Sequence, residues 1–116
     1  MDFQDFSFGS IRIDGTTYEH DVVVDRGKIH RRKKEASRVF REEFGHTPLS
    51  AKEQIPWRCC RLVVGTGANG ALPVMKAVKL EAKRRNVELV IVPTAEALEL
   101  LNEKPGKTNA ILHVTC

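Results

Sequence analysis

Aromatic residues make up only 6% of this 116-residue chain, with one tryptophan and one tyrosine, so little is available for an aromatic substrate platform. Cysteine is equally scarce. Cys59, Cys60 and Cys116 are odd in number and two of them are adjacent, which argues against a disulfide framework and leaves them as reduced thiols, expected to be small buried apolar groups. Cys59-Cys60 also lacks the two-residue gap of a zinc knuckle, and His20, His30, His46 and His113 show no paired spacing, so no metal site is read. No apolar run reaches the roughly 20 residues a membrane helix needs. The opening Met1-Asp2-Phe3-Gln4-Asp5 has neither the basic start nor the apolar stretch of a signal peptide, and the expected location is the cytoplasm. The pattern Gly-x-x-x-x-Gly-Lys-Ser/Thr is missing, which excludes a P-loop. What remains is an ordinary balance of 41% hydrophobic and 29% charged residues, that of one small globular domain spanning residues 1–116.

The net charge of +4 and pI near 9.2 are modest, yet the basic residues are unevenly spread. From Arg26 to Arg41 run Lys28, His30, Arg31, Arg32, Lys33, Lys34 and Arg38, opposed only by Glu35. Clustered Lys and Arg mark a surface for polyanions. No Tyr or Trp is interleaved for base stacking, and Glu42 and Glu43 follow at once, so a nucleic-acid partner is not expected.

Phe6 to Ile13 alternates apolar and polar residues, then Asp14-Gly15 supplies hairpin chemistry. Thr17 to Val24 reads as a second strand, Asp25-Arg26-Gly27 as a turn and Lys28-Ile29-His30 as a short third strand, giving an antiparallel meander. Ser50 is placed to cap a short helix over Ala51–Ile55, with Glu53 completing a capping box. In the second half, Arg61–Val64 reads as a buried strand, and Leu72, Met75, Val78 and Ala82 share a helix face opposite Lys76, Lys79, Lys83 and Arg84. Val87–Val92 is a β-branched strand, Thr94 an N-cap ahead of an Ala95, Leu98 and Leu101 stripe, Pro105-Gly106 a terminator, and Ala110–Val114 a last strand. Strand, helix, strand, helix, strand predicts parallel pairing.

Between the first of those strands and its helix lies Gly65-Thr66-Gly67-Ala68-Asn69-Gly70, with Pro73 suited to the first helical turn. Glycines there allow positive φ and close approach, and such a loop could offer bare N–H groups to an anion. Gly65-x-Gly67-x-x-Gly70 matches the dinucleotide fingerprint in form. Val92-Pro93-Thr94 stands where the acidic ribose ligand is needed, so no dinucleotide or other cofactor is read. A Cys116 nucleophile would need a base, but alternation along a strand separates its side chain from that of His113. No catalytic constellation is read.

Val63-Val64-Gly65-Thr66-Gly67, the closing Ile111-Leu112-His113-Val114-Thr115-Cys116 and the opening Phe8-Gly9-Ser10-Ile11 with His20-Asp21-Val22-Val23 together resemble the Mth-type domain family of unknown function. Its members include an adipogenesis-associated domain protein and an assembly factor of mitochondrial complex I. The resemblance spans almost the whole chain. It implies a three-layer α/β domain with a central mixed sheet flanked by helices and an added amino-terminal β-hairpin layer, and it implies no settled enzyme activity. With no transit-like leader in this sequence, a stand-alone cytosolic member is expected rather than the mitochondrial branch.

Two functions of different classes follow. One is a non-enzymatic interaction or assembly module with a protein partner. The other is a protein, enzymes included, that binds a small molecule or anion, with Gly65, Thr66, Gly67, Asn69 and Gly70 receiving the negative charge, Lys or Arg from the Arg31-to-Lys34 cluster (Arg31, Arg32 and Lys33) assisting, and His46 or His113 handling protons. Strand carboxyl ends are where open α/β sheets place ligands. A monomer or weak homodimer is expected.

Overall fold

Asp14 and Gly15 have φ of 49° and 82°, and Arg26 and Gly27 have φ of 48° and 80°, the paired left-handed geometry of a two-residue hairpin turn. The first pair joins β2 (Ser10–Ile13) to β3 (Thr16–Tyr18), and the second joins β4 (Val22–Asp25) to β5 (Lys28–Arg31). β1 (Phe3–Ser7) pairs antiparallel with β2. These elements come from a computed structural model that describes residues 1–103 and 106–116.

The expected meander is divided between two sheets. Phe6–Ile13 is broken at Gly9, whose φ of 90° turns the chain and whose N–H donates to the Val114 carbonyl at 2.7 Å. Thr17–Val24 is broken at Glu19–Asp21, because the Asp21 carboxylate turns inward and accepts the Val114 N–H at 3.0 Å. β1, β2 and β3 form a three-stranded sheet, while β4 and β5 join a five-stranded one of order β5-β4-β8-β6-β7. There β6 (Arg61–Thr66) runs parallel to β7 (Glu88–Val92) and to β8 (Thr108–His113), and β8 runs antiparallel to β4. The central sheet is mixed, as the resemblance implies.

Alternation along β6 sends Val63 to one face and Leu62 and Val64 to the other. On the Val63 side lie α3 (Thr94–Glu103) and the three-stranded sheet, which bury Phe3, Ile11, Ile13, Leu98 and Leu101. On the opposite side α2 (Lys76–Arg84) and residues 49–59 bury Leu49, Ile55, Val78 and Ile111. Three layers result.

Several local expectations give way to tertiary contacts. No helix forms over Ala51–Ile55, because the Glu53 carboxylate that would close a capping box is held instead by Arg32 and Ser37. Pro73 does not start α2. Leu72 to Met75 runs outside the helix, with Val74 bridged to Leu49, the Leu49 N–H donating to the Pro73 carbonyl at 2.8 Å and the Met75 N–H donating to the Leu49 carbonyl at 2.9 Å. Val78 and Ala82 still face the core with Lys76, Lys79, Lys83 and Arg84 exposed. In α3 the buried stripe is Ala97, Leu98 and Leu101, with Ala95 exposed. Thr94 is its first helical residue rather than a cap, since its hydroxyl is engaged across the fold. The expected terminator includes Pro105, which lies outside the described residues. A 3-10 segment, Glu35–Phe40, and a one-turn α1, Arg41–Phe44, fill a stretch without a clear sequence pattern.

Candidate functional site

The carboxyl ends of β6 and β8 lie side by side, with Thr66 paired to His113. The glycine loop leaves the first and residues 114–116 leave the second, so the two run together. Gly65 has no room for a side chain: a Cβ there would stand 2.9 Å from Thr94 Oγ1 and 3.0 Å from Leu112 Cδ2. At Gly67, with φ of 101°, a Cβ would fall 2.0 Å from the Thr115 carbonyl oxygen. Its bareness lets the carboxyl-terminal residues lie directly on the loop.

That proximity changes the expected chemistry of the loop. The Gly67 N–H donates to Thr94 Oγ1 at 2.8 Å, and the Ala68 N–H to the Thr115 oxygen at 3.1 Å. The Asn69 and Ala71 N–H groups donate to the main-chain oxygen of Cys116 at 3.0 and 3.3 Å, the Gly70 N–H to Gly67 at 3.3 Å and the Leu72 N–H to Thr66 at 3.1 Å. The donors expected to be bare are therefore occupied from within. Nor does the loop open directly into a helix, as a dinucleotide turn must, because α2 begins only at Lys76.

Below the carboxyl-terminal residues sits a buried charge network. Asp21 Oδ2 accepts from Arg32 Nη1 at 2.9 Å and from His113 Nδ1 at 2.8 Å, and Asp21 Oδ1 accepts the Val114 N–H at 3.0 Å. Arg32, with its side chain 1% exposed, spans two carboxylates: its Nε and Nη2 donate to Glu53 at 2.9 and 2.8 Å. Nη2 also donates to the Pro48 carbonyl at 3.0 Å. Ser37 Oγ, in the 3-10 segment, donates to Glu53 and lies 2.6 Å from Ser50 Oγ. Burial alone would push the Asp21 carboxyl upward, but the hydrogen bond and charge of His113, the Val114 N–H and the Arg32 charge outweigh it and hold the group at about 2. Arg32 is shifted the opposite way, upward, because its bonds and charge pairing with Glu53 and Asp21 overcome the burial that opposes them.

Above this network opens a cavity of about 420 Å³, within the range of roughly 300–1,000 Å³ common for small-ligand sites. Lys34 borders it from just before the 3-10 segment, Arg38 from within that segment, Arg41 from α1, His46 from the loop after α1, His113 from the end of β8 and Cys116 from the residues beyond it. No Asp or Glu is among the bordering residues, and among the described residues no acidic side chain pairs with Lys34, Arg38 or Arg41. Arg32 also borders it, but its charge is already balanced from behind by Asp21 and Glu53. Ionised Asp21 can only accept, so His113 Nδ1 carries the hydrogen of that bond. Nε2 lies 3.2 Å from Thr115 Oγ1, and Cys116 Sγ is 3.6 Å from His46 Nδ1.

Of the residues singled out from the sequence, Arg32, His46 and His113 come together at this cavity. Gly65, Thr66, Gly67, Asn69 and Gly70 do not border it. They hold the carboxyl-terminal residues that do. Lys33 and Arg31 border a separate cavity beside Ile55, and Arg31 also borders a small hollow with Glu19 and His20. Lys34, the end of the Arg31–Lys34 cluster expected to assist, borders the cavity as well; Arg38, Arg41 and Asp21 were not singled out, though the basic run contained the first two. The three thiols are free, but none is buried as expected: Cys59 and Cys116 are half-buried and Cys60 is exposed. No three His, Cys, Asp or Glu side chains cluster as a metal site among the described residues. No helix among them is long and apolar enough to cross a membrane.

A family model described as a protein of unknown function (DUF498/DUF598) matches residues 3–112. The crystal structure of a conserved hypothetical protein from Pyrococcus horikoshii is similar at a TM-score of 0.83 and 32% identity, with 100% of both chains covered. The solved protein MT938 is similar at a TM-score of 0.74 and 28% identity, covering 99% of this chain and 98% of the other. A Mth938-like domain from Bordetella pertussis, at 13% identity, TM-score 0.60 and coverage of 97% and 85%, shares the fold. None of the curated proteins compared with the chain matches it.

Proposed function

The chain belongs to the DUF498/DUF598 family of unknown function, the Mth-type family that its glycine turn and closing His-x-Thr-Cys resemble, and from that premise we propose that it is a small-anion-binding protein. The site is the cavity between α1 and the end of β8. The observation that carries this reading is the gathering of Lys34, Arg38 and Arg41 around one concave surface with no Asp or Glu among its bordering residues. Like charges so placed repel one another in the empty site, and an anion relieves that repulsion while accepting their hydrogen bonds. The buried Asp21–Arg32–Glu53 network fixes the floor and ties it, through Ser37, to the segment that carries Arg38. An interaction module would be better served by a joined apolar patch. Among the described residues the large exposed apolar side chains are Met1, Phe8, Val39, Leu80 and Ile91, spread over the first residue, the β1–β2 turn, the 3-10 segment, α2 and β7, and single exposed apolar residues are ordinary.

The test is thermal unfolding with inorganic phosphate against chloride at equal ionic strength. A ligand bound only to the folded state raises Tm with concentration. Phosphate should raise the Tm of the wild-type protein and not that of an Arg38→Gln, Arg41→Gln double variant. Both side chains are exposed, so the double variant should fold as the parent does. Equal shifts in the two proteins would refute the reading.

A further inference from the structure

Resting on that reading, we infer that the ligand is the phosphate monoester of a small polyhydroxylated, non-aromatic molecule, of the sugar phosphate class. The cationic cavity is not isolated. A second hollow of about 200 Å³ adjoins it, and the two share Arg32, Lys34 and Thr115 as a common wall. The second hollow differs in character. It adds the Glu19 and Asp21 carboxylates, the His20 imidazole and the Arg31 guanidinium, so that both signs of charge meet there, with Val114 as its single aliphatic member.

This asymmetry orients a ligand. A dianionic group is drawn to Lys34, Arg38 and Arg41 and repelled from Glu19. Hydroxyl groups have the opposite preference, because a carboxylate accepts their hydrogen bonds and is among the stronger acceptors available. Three of the roughly four acceptor positions of Asp21 are already taken by Arg32, His113 and Val114, which leaves Glu19 as the main acceptor, with His20 and Arg31 beside it, to read the uncharged half. His20 Nδ1 lies 2.9 Å from the Asp21 carbonyl oxygen, so the far ring nitrogen, Nε2, is the one left to meet a ligand.

The bordering residues also argue against a nucleotide. Neither hollow has a Phe, Tyr or Trp among its bordering residues, whereas base recognition leans on aromatic stacking worth about 1–3 kcal/mol per base. The single tryptophan faces Arg85 elsewhere, with the guanidinium 5.5 Å from the ring centre. Nor do the surroundings suit an acyl chain, since one valine offers little apolar surface.

Three probes separate the parts of the argument by isothermal titration: inorganic phosphate, ribose 5-phosphate and adenosine monophosphate, which add first a sugar and then a base. Ribose 5-phosphate should bind at least tenfold more tightly than inorganic phosphate, and adenosine monophosphate no more tightly than ribose 5-phosphate. A Glu19→Ala, His20→Ala double variant should lose the tenfold gain while binding inorganic phosphate as the parent does. Should phosphate bind and ribose 5-phosphate gain nothing over it, the assignment of the second hollow is wrong while the anion site stands. Tighter binding of the nucleotide would overturn the non-aromatic class. If none of the three binds, the anion site itself falls.

Discussion

Replacing Asp21 by Asn removes the charge on which Arg32, His113 and the Val114 N–H converge. The carboxyl is held at about 2 against an ordinary value of 3.8. At about 1.4 kcal/mol per pH unit, that depression amounts to about 2 kcal/mol of stability at neutral pH. The sign follows from the direction of the shift. The folded state favours the ionised form, so the contribution is complete well above 3.8, declines as pH falls below it, and is gone below about 2. About half of it should already be lost at pH 3. Asn keeps the shape but must turn either an amide or a carbonyl toward donors that all need acceptors, adding roughly another 1 kcal/mol that does not vary with pH. Urea unfolding of both proteins at pH 7 and pH 3 isolates this one group, because every other carboxyl is common to the pair. The variant should be less stable by about 3 kcal/mol at pH 7 and by visibly less at pH 3. A destabilisation that is the same at both pH values would show that Asp21 contributes through packing and not through its charge, and the account of the network would be wrong.

Further outcomes are expected elsewhere. Gly67→Ala places a Cβ 2.0 Å from the Thr115 oxygen, so amide hydrogen exchange at Ala68, Asn69 and Ala71 should accelerate sharply as the carboxyl-terminal residues are displaced; unchanged protection would refute the close contact. Thr94→Val keeps the shape but removes the hydroxyl that donates to the His113 carbonyl and accepts the Gly67 N–H. Two buried main-chain groups are orphaned, and the cost should be about 3 kcal/mol, lowering Tm by about 10 °C, while Thr94→Ser should recover most of it. Asn109, 1% exposed, accepts from the Arg26 N–H and donates to the Pro56 and Arg58 carbonyls. Asn109→Leu should cost about 3 kcal/mol by calorimetry; a stability within 1 kcal/mol of wild type would count against those bonds.

The parts of this fold that were legible in the sequence are those fixed by neighbouring residues. Asp14-Gly15 and Arg26-Gly27 carry their own turn chemistry, and β6 to β8 with α2 and α3 announce themselves by period. What was not legible depends on partners far along the chain. Ser50 and Glu53 have capping-box spacing, but Arg32 competes for the carboxylate with a charge that a backbone N–H cannot match. The break at Glu19–Asp21 has no local signal, since its cause lies 93 residues away at Val114. The glycine loop was located correctly and its occupancy was not, because nothing near residue 67 indicates that residues 115 and 116 will lie on it. The basic run was visible as composition. Only the 3-10 segment and α1 sort its members, turning Arg38 and Arg41 to one cavity, leaving Lys33 at another and placing Arg31 between that one and the hollow beside Glu19.

β8 stands between β4 and β6, and no hydrogen-bonded strand pairing joins β4–β5 to β6–β7 without it. During synthesis on a ribosome, residues 22–31 and 61–92 therefore emerge as two half-sheets with nothing to align them, each with an open edge facing the other. Strand Thr108–His113, the last made of the eight, must slot between them after both exist. Docking is thus deferred until β8 has been made, and until then the two unsatisfied edges are available to any other extended chain nearby.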